Sequence, residues 1–149
     1  MSMTMTSPAP SPRNLPVPRW FRASFTMASR LAPAMAGAWA QRMFFTPNRL
    51  PVRREEREFL ARGVRFDVQT RHGRMAAWAW GSGPAVLLAH GWSGHAGQMT
   101  PLARALVESG FRAVALDMPA HGAAAGKLSS IGDVADALGD AAPLFAPLR

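Results

Sequence analysis

Apolar and polar positions change their spacing midway along the chain. Over residues 64–69 the two kinds of side chain alternate, a turn follows at residues 71–73, and an apolar pattern resumes over residues 75–80. This alternation around a turn predicts an antiparallel β-hairpin. The next apolar run, Ala85–Ala89, does not alternate. A short continuous run of this kind is typical of a strand that is covered on both faces in a parallel sheet.

Helical patterns follow this run. Thr100 is predicted to cap a helix that Gly110 ends, and another strand is predicted over residues 112–117. Ser130 and Asp133 have the spacing of a capping box, which predicts the start of a further helix. Its apolar positions recur at helical spacing: Ile131, Val134, Leu138, Ala141 and Phe145.

The order strand, helix, strand, helix predicts an α/β domain, which we assign to residues 63–149. A right-handed crossover between parallel strands places the loops after His90 and Asp117 at the carboxyl end of the sheet. Folds of this class bind ligands at that edge. The chain is long enough for one globular unit, and we expect its functional site in these two loops.

The residues ahead of the hairpin have a different composition. Residues 1–18 are rich in Ser, Thr, Met and Pro and are predicted to be a disordered lead-in. Residues 19–62 are predicted to form a basic, partly helical arm. It contains two short helices interrupted at Pro33 and a solvated helical stretch over residues 53–58. The expected organisation is therefore a helical arm followed by an α/β domain.

The basic residues are concentrated in this arm. The formal net charge is +8, and the arginines that precede the first acidic residue, Glu55, are Arg13, Arg19, Arg22, Arg30, Arg42, Arg49, Arg53 and Arg54. From Glu55 onward, nine basic and nine acidic residues cancel. A nucleic-acid surface would leave a basic stripe on the folded domain, so we predict no nucleic-acid partner. An anionic membrane surface or a partner chain would be met by the arm.

Four hypotheses for the arm stay open: a secretory signal, a targeting peptide, a helix that lies on an anionic membrane, or a helix packed on the domain. The uncharged stretch over residues 31–41 is about half the roughly 20 residues needed to span a bilayer. Residues 38–40, Ala-Trp-Ala, resemble a cleavage site. The absence of cysteine is compatible with a reducing compartment. We expect a cytoplasmic location, with membrane association or export as alternatives.

Two loop motifs resemble the α/β-hydrolase superfamily of the esterase and lipase type. They are His-Gly-Trp-Ser-Gly at residues 90–94 and Asp-Met-Pro-Ala-His-Gly at residues 117–122. The resemblance runs from about Val64 to the end of the sequence. In the second motif this sequence has Ala120 where the family usually has glycine. The resemblance implies the N-terminal part of an α/β-hydrolase fold, in which an antiparallel hairpin leads into parallel strands with crossover helices.

The resemblance also implies roles for the loop residues. The backbone N–H of Trp92, which follows His-Gly, would contribute to an oxyanion hole. The residues that would shape the two loops are His90, Gly91, Gly94, Asp117, His121 and Gly122. In the family, a serine attacks the ester-like carbonyl of a small molecule, and a histidine and an acid move the proton. No cofactor is expected.

The serine of that mechanism stands on an elbow with the pattern Gly-x-Ser-x-Gly, and this pattern does not occur in the 149 residues. We therefore expect the chain to be inactive alone. In the family, the strand that carries the serine pairs beside the strand that is Ala85–Ala89 here. Without that neighbour, Ala85–Ala89 would be an edge strand. An exposed apolar edge predicts aggregation or recruitment of a partner that supplies a strand.

A rival interpretation makes Ser93 the nucleophile, followed by Asp117 and His121 in the order of a catalytic triad. Position 95 is histidine rather than the glycine of the elbow pattern, which disfavours Ser93. A metal site would recruit His90, His95, His121 and Asp117. The first two histidines lack the helical i, i+4 spacing that presents two imidazoles to one ion. We therefore predict no metal site and assign these histidines local hydrogen bonds.

Overall fold

The computed structural model describes residues 17–145 of the chain. Most of the predicted lead-in, and the last four residues of the predicted domain, lie outside the described residues. Two compact units divide between Ala40 and Gln41. The second unit therefore contains part of the predicted arm as well as the predicted α/β domain.

The first unit is helical and ends within its second helix, whose residues 41–45 belong to the second unit. Helix α1 (Arg19–Leu31) is followed closely by helix α2 (Pro33–Phe45), whose first residue is the proline that the sequence predicted to interrupt the helix. Aromatic rings join the two helices, with Trp39 lying 5.4 Å from Phe21 and 5.7 Å from Phe25 between ring centroids. No helix within residues 17–145 is both long and apolar enough to cross a membrane.

The second unit contains the remaining helices and a sheet. Its helices are α3 (Arg54–Leu60), α4 (Thr100–Glu108) and α5 (Ile131–Ala141), and its strands are β1 (Val64–Thr70), β2 (Gly73–Trp80), β3 (Ala85–Ala89) and β4 (Arg112–Leu116). Short 3-10 turns cover Ala96–Met99, before α4, and Ala142–Phe145, after α5. The order of the elements is the predicted one.

The four strands form one mixed sheet in the order β1-β2-β4-β3. Strands β1 and β2 are an antiparallel hairpin, and β2 also pairs antiparallel with β4. Strands β3 and β4 are parallel, with Ala85 opposite Arg112 and Ala89 opposite Leu116. The predicted α/β class, with a hairpin that leads into parallel strands and crossover helices, is confirmed. Among the described residues, β3 is an outer strand.

The core lies on both faces of β2. Residues 75–80 of this strand are at most 8% exposed. One face packs against α5, where Ala77 and Ala137 belong to the same buried cluster. The other face packs against α3 and α4, and the Trp80 ring stacks on Phe59 at 4.7 Å between centroids. Helices on both faces thus fix the sheet whose carboxyl edge carries the two motif loops.

The structure corrects details of the predicted helices. Thr100 is the first residue of α4 rather than its N-cap, because the 3-10 turn before it already continues into the helix. The Thr100 hydroxyl donates to the Gly97 carbonyl at 2.7 Å instead of accepting from the helix. The capping box at α5 is confirmed, since Ser130 and Asp133 exchange side-chain to backbone hydrogen bonds of 3.2 and 2.8 Å. Ile131, predicted on the apolar face, is 86% exposed.

Strand β3 is less covered than its apolar run predicted. Leu88 is buried, but Val86 and Leu87 are half-buried and Ala89 is exposed. The physical reason is its place at the outside of the sheet, where helices cover it only partly. Ala85 and Leu88, on opposite faces of the strand, nevertheless belong to the two buried clusters, so the strand is covered on both faces as predicted, although incompletely.

Candidate functional site

The loops after β3 and β4 begin side by side. Ala89 pairs with Leu116 at the ends of two parallel strands, so residues 90–96 and 117–126 leave the sheet at the same edge. The carboxyl edge of parallel strands is the usual ligand-binding edge of α/β folds. The structure thus brings the two predicted motifs together.

The carboxylate of Asp117 holds both loops. It is 2% exposed, and its Oδ1 accepts the N–H of Ala96 while its Oδ2 accepts the N–H of Ala123, both at 2.6 Å. These are short hydrogen bonds to a charged acceptor, the strong kind. Asp117 therefore fixes the position of one loop relative to the other.

Each loop begins with the same kind of tight turn. The N–H of Gly94 donates to the Gly91 carbonyl at 3.0 Å, and Ser93, the third residue of that turn, has φ of 60°. In the second loop, the N–H of His121 donates to the Met118 carbonyl at 2.9 Å, and Ala120 has φ of 63°. A positive φ at the third position alone is the pattern of a type II turn, which favours glycine there.

The first turn leaves Trp92 in a distinctive position. It is the second residue of the type II turn, and the residue is 49% exposed. Its backbone N–H has no hydrogen-bond acceptor within the described part of the chain. The turn therefore presents a free backbone donor at the carboxyl end of β3.

Not every glycine of the motifs is required for space. A Cβ added at Gly94 would lie 2.9 Å from the Gly91 carbonyl oxygen and 3.1 Å from Nδ1 of His90. At Gly122, which has φ of 45°, the added atom would overlap the Asp117 carboxylate. At Gly91 it would meet nothing within 4 Å. Close packing thus explains two of these glycines and leaves Gly91 without a steric reason.

His90 bridges the two loops in its neutral form. Its Nε2 accepts the N–H of Met118 at 3.1 Å, so the ring proton sits on Nδ1, which donates to the Gly91 carbonyl at 2.8 Å. Burial lowers the pKa of His90, and the hydrogen bond to Gly91 only partly opposes this. Both nitrogens are therefore engaged in local hydrogen bonds.

His121 lies deeper, at 1% exposure. Its Nδ1 donates to the Pro119 carbonyl at 2.8 Å, since a carbonyl can only accept. Its ring meets the Trp92 indole edge to face at 5.1 Å between centroids. The other nitrogen, Nε2, is buried and has no hydrogen-bond partner among residues 17–145. The buried His121 ring therefore packs against the side chain of Trp92 in the turn.

The Ser93 hydroxyl forms no hydrogen bond with the two candidate triad partners among the described residues. Its hydroxyl oxygen accepts the backbone N–H of Asn48 at 3.0 Å. Asp117 accepts from backbone amides, and His121 donates to Pro119. Within the described residues, no hydrogen bond joins these three side chains to one another.

His95 belongs to a different environment from the other motif histidines. It is 3% exposed, and its Nε2 lies 3.7 Å from the Glu56 carboxylate of α3. Within the part of the chain that the structure describes, no three His, Asp or Glu side chains are placed to hold a metal ion.

Asn48 and Arg49, in the segment before α3, form hydrogen bonds with both loops. The sequence did not indicate these contacts. The Arg49 guanidinium donates to three carbonyls of the second loop, those of Gly122, Ala124 and Gly126, at 2.9 to 3.0 Å. Asn48 contacts the first loop through Ser93. By sequence, Arg49 belongs only to the basic excess of the arm. Its partners lie 73 to 77 residues away, so no local pattern indicated them.

An apolar cavity of about 700 Å³ adjoins the turn. Its wall at the loops consists of His90, Trp92, Met118 and His121. The rest of its lining comes from the end of α2 and from α5 with its N-cap: Phe44, Phe45, Ser130, Ile131, Val134, Ala135 and Leu138. The free N–H of Trp92 thus stands beside a space suited to apolar groups.

One comparison with known protein families agrees with this architecture. A family model described as serine aminopeptidase, S33, which belongs to the α/β-hydrolase clan, matches residues 82–149. No curated protein matches the chain. A solved epoxide hydrolase from an endophytic Streptomyces is 33% identical over 45% of this chain, with a TM-score of 0.42.

The match covers only 20% of that epoxide hydrolase, so the chain spans one fifth of its length. The region matched by the family model contains β3, β4 and both motif loops. Residues 82–149 thus match the α/β-hydrolase superfamily, and the mixed sheet with its helices is consistent with a partial α/β-hydrolase fold.

Proposed function

We propose that this chain contributes the oxyanion-binding part of a serine hydrolase that acts on ester-like bonds of small molecules. The observation that carries the proposal is the free backbone N–H of Trp92 at the carboxyl end of β3. A preorganised backbone donor of this kind stabilises the negative charge that develops on the carbonyl oxygen during acyl transfer. The apolar cavity beside it suits the uncharged part of an ester.

The surrounding residues act on this donor by holding it in place. The Gly94 to Gly91 hydrogen bond sets the turn, and Asp117 ties the loop to its neighbour through Ala96. His90 joins the same two loops through Met118. A donor that is already oriented costs no reorganisation when charge develops. These residues are positioning groups in the proposal and take no proton from the substrate.

The nucleophile, the base and the acid would come from another part of the superfamily domain. No Gly-x-Ser-x-Gly elbow occurs in the 149 residues, and Ser93 has neither His121 nor Asp117 as a hydrogen-bond partner. An oxyanion donor without a nucleophile gives only binding and residual polarisation. We therefore expect the 149 residues alone to be inactive.

Hydrolysis of p-nitrophenyl esters tests this proposal. The chain alone, wild type and Ser93→Ala, should give the same background rate. A hybrid in which the 149 residues replace the N-terminal part of a serine hydrolase of the superfamily should turn over the esters. Turnover by the chain alone that disappears in Ser93→Ala would show that Ser93 is the nucleophile. A folded but inactive hybrid would contradict the proposed role.

A second candidate function is binding of an anionic surface or another chain through the arm. The observation that favours it is a set of large apolar side chains on α1 that stay exposed: Trp20, Met27 and Leu31. Both functions can coexist, because α1 and the two motif loops belong to different compact units.

A further inference from the structure

We propose that α1 lies on the surface of an anionic lipid bilayer, with Trp20, Met27 and Leu31 among the acyl chains and its arginines at the headgroups. This inference rests on the second candidate function and names its partner. It is independent of the proposed hydrolase activity, since none of its residues lies in the motif loops.

The apolar side of α1 has two parts. Phe21 and Phe25 contact Trp39 of α2 and are half-buried. The other part is a stripe formed by Trp20, Met27 and Leu31, which are 72%, 63% and 79% exposed. Positions separated by seven and four residues lie along one side of a helix. Helix α1 therefore keeps a second apolar stripe after packing with α2.

The charges on α1 are all positive. Arg19, Arg22 and Arg30 lie on this helix, and no acidic residue precedes Glu55 in the sequence. Within residues 17–145, none of the three forms a salt bridge. Their charge is thus available to an anionic partner.

The cations and the apolar stripe meet on the surface of α1. Arg22 and Arg30 line a shallow, open depression on the surface of α1 together with Met27 and Leu31. A phospholipid presents the complementary pair, an anionic headgroup above hydrocarbon. Tryptophan is also a preferred side chain at the boundary between hydrocarbon and headgroups. This combination favours a lipid surface over a purely acidic or purely apolar partner.

The geometry of α1 fits a helix that lies in the plane of the interface. It has 13 residues, which is about 20 Å of helix and too short to span the hydrocarbon core of about 30 Å. Helices with one apolar side and arginines on the other bind anionic bilayers in this orientation. Each arginine near such a surface strengthens binding roughly fivefold.

Vesicle flotation with the full chain tests the inference. Floating vesicles separate bound protein from aggregates, which sediment. We expect binding to vesicles that contain phosphatidylserine, weak binding to pure phosphatidylcholine, and loss of binding at high salt. Binding should shift the tryptophan fluorescence to shorter wavelength, and Trp20→Phe should remove most of that shift.

Matched variants separate α1 from the rest of the chain. Leu31→Ser should weaken vesicle binding about tenfold, whereas Leu102→Ser, at an exposed leucine of α4, should leave it unchanged. Arg22→Gln with Arg30→Gln should weaken binding more than tenfold. The same pair of changes at the exposed Arg62 and Arg112 should not.

Three outcomes would overturn the membrane assignment. One is equal binding to neutral and anionic vesicles, and another is equal loss in Leu31→Ser and Leu102→Ser. The third is self-association that depends on Leu31 without any vesicle binding, which would keep the arm as a binding element but make its partner a protein. None of these outcomes bears on the ester hydrolysis test, so failure of one proposal is distinguishable from failure of the other.

Discussion

The Asp117 carboxylate accepts the backbone N–H of Ala96 at 2.6 Å, across 21 residues of chain. This bond ties the loop after β4 to the loop after β3. The other carboxylate oxygen accepts Ala123 within the second loop. An aspartate in a motif that resembles an active site thus works as a buried structural tie.

Asp117→Asn tests this tie. An amide has one acceptor oxygen, so its NH₂ would face one of the two backbone N–H groups that Asp117 now satisfies. We expect a loss of about 2 to 3 kcal/mol in the free energy of unfolding, measured by urea denaturation. The control is Asp67→Asn, at a largely exposed ion pair, which should cost about 0 to 1 kcal/mol. Equal losses would contradict the structural role.

Ala120→Gly should stabilise the protein. Ala120 holds φ of 63° at the third position of a type II turn, a conformation that costs alanine more than glycine. The expected gain is about 0.5 to 1 kcal/mol, after the greater backbone freedom of glycine in the unfolded chain is counted. Ala105→Gly, in the exposed interior of α4, should instead cost about 1 kcal/mol. Thermal unfolding of both variants should show opposite signs.

The sequence predicted the elements whose signals are local. The alternation of residues 64–69, the apolar run of β3 and the capping box at Ser130 each depend on a few neighbouring residues, and each is present. The right-handed crossover between parallel strands placed the loop motifs at the carboxyl edge of the sheet, where the structure has them. Ala120, which stands where the family usually has glycine, has the positive φ that a type II turn requires at its third position.

Long-range contacts could not be predicted from the sequence. The bonds from Arg49 to the second loop join residues more than 70 positions apart, and nothing in the arm distinguishes this arginine from its neighbours. The covering of β3 depends on where the strand sits in the sheet rather than on its own pattern. The prediction that Thr100 is an N-cap was wrong because a 3-10 turn precedes the helix. Such short turns leave little pattern in the sequence.

Two glycines of the first motif should respond differently to alanine. Gly94→Ala places a Cβ against the Gly91 carbonyl and the His90 ring, so we expect a loss of about 1 to 3 kcal/mol. Gly91→Ala meets nothing within 4 Å and should change stability by less than about 0.5 kcal/mol. Urea denaturation of the two variants under the same conditions checks the difference. A similar loss at both positions would show that the loop is packed differently.

Stability should fall on mild acidification because of His90. Burial lowers the pKa of His90 below its ordinary value of 6.5, so between these two values the unfolded chain binds a proton that the folded chain does not. The contribution is complete above about pH 6.5 and is lost as the pH falls below it. His90→Gln removes the titrating group, so the urea midpoint of that variant should depend less on pH over this range. An unchanged pH dependence would contradict a neutral His90 in the folded state.

In the proposed function the Trp92 backbone N–H binds the oxyanion, and one pair of variants isolates that atom. Trp92 occupies the second position of a type II turn, the position that Pro119 holds in the other loop, so proline fits there while lacking the N–H. In the active hybrid hydrolase, Trp92→Pro should lower kcat for p-nitrophenyl esters about 100-fold or more with little change in KM. Trp92→Ala keeps the N–H and should retain most of kcat. Equal kcat values for the proline and alanine variants would show that this N–H does not bind the oxyanion.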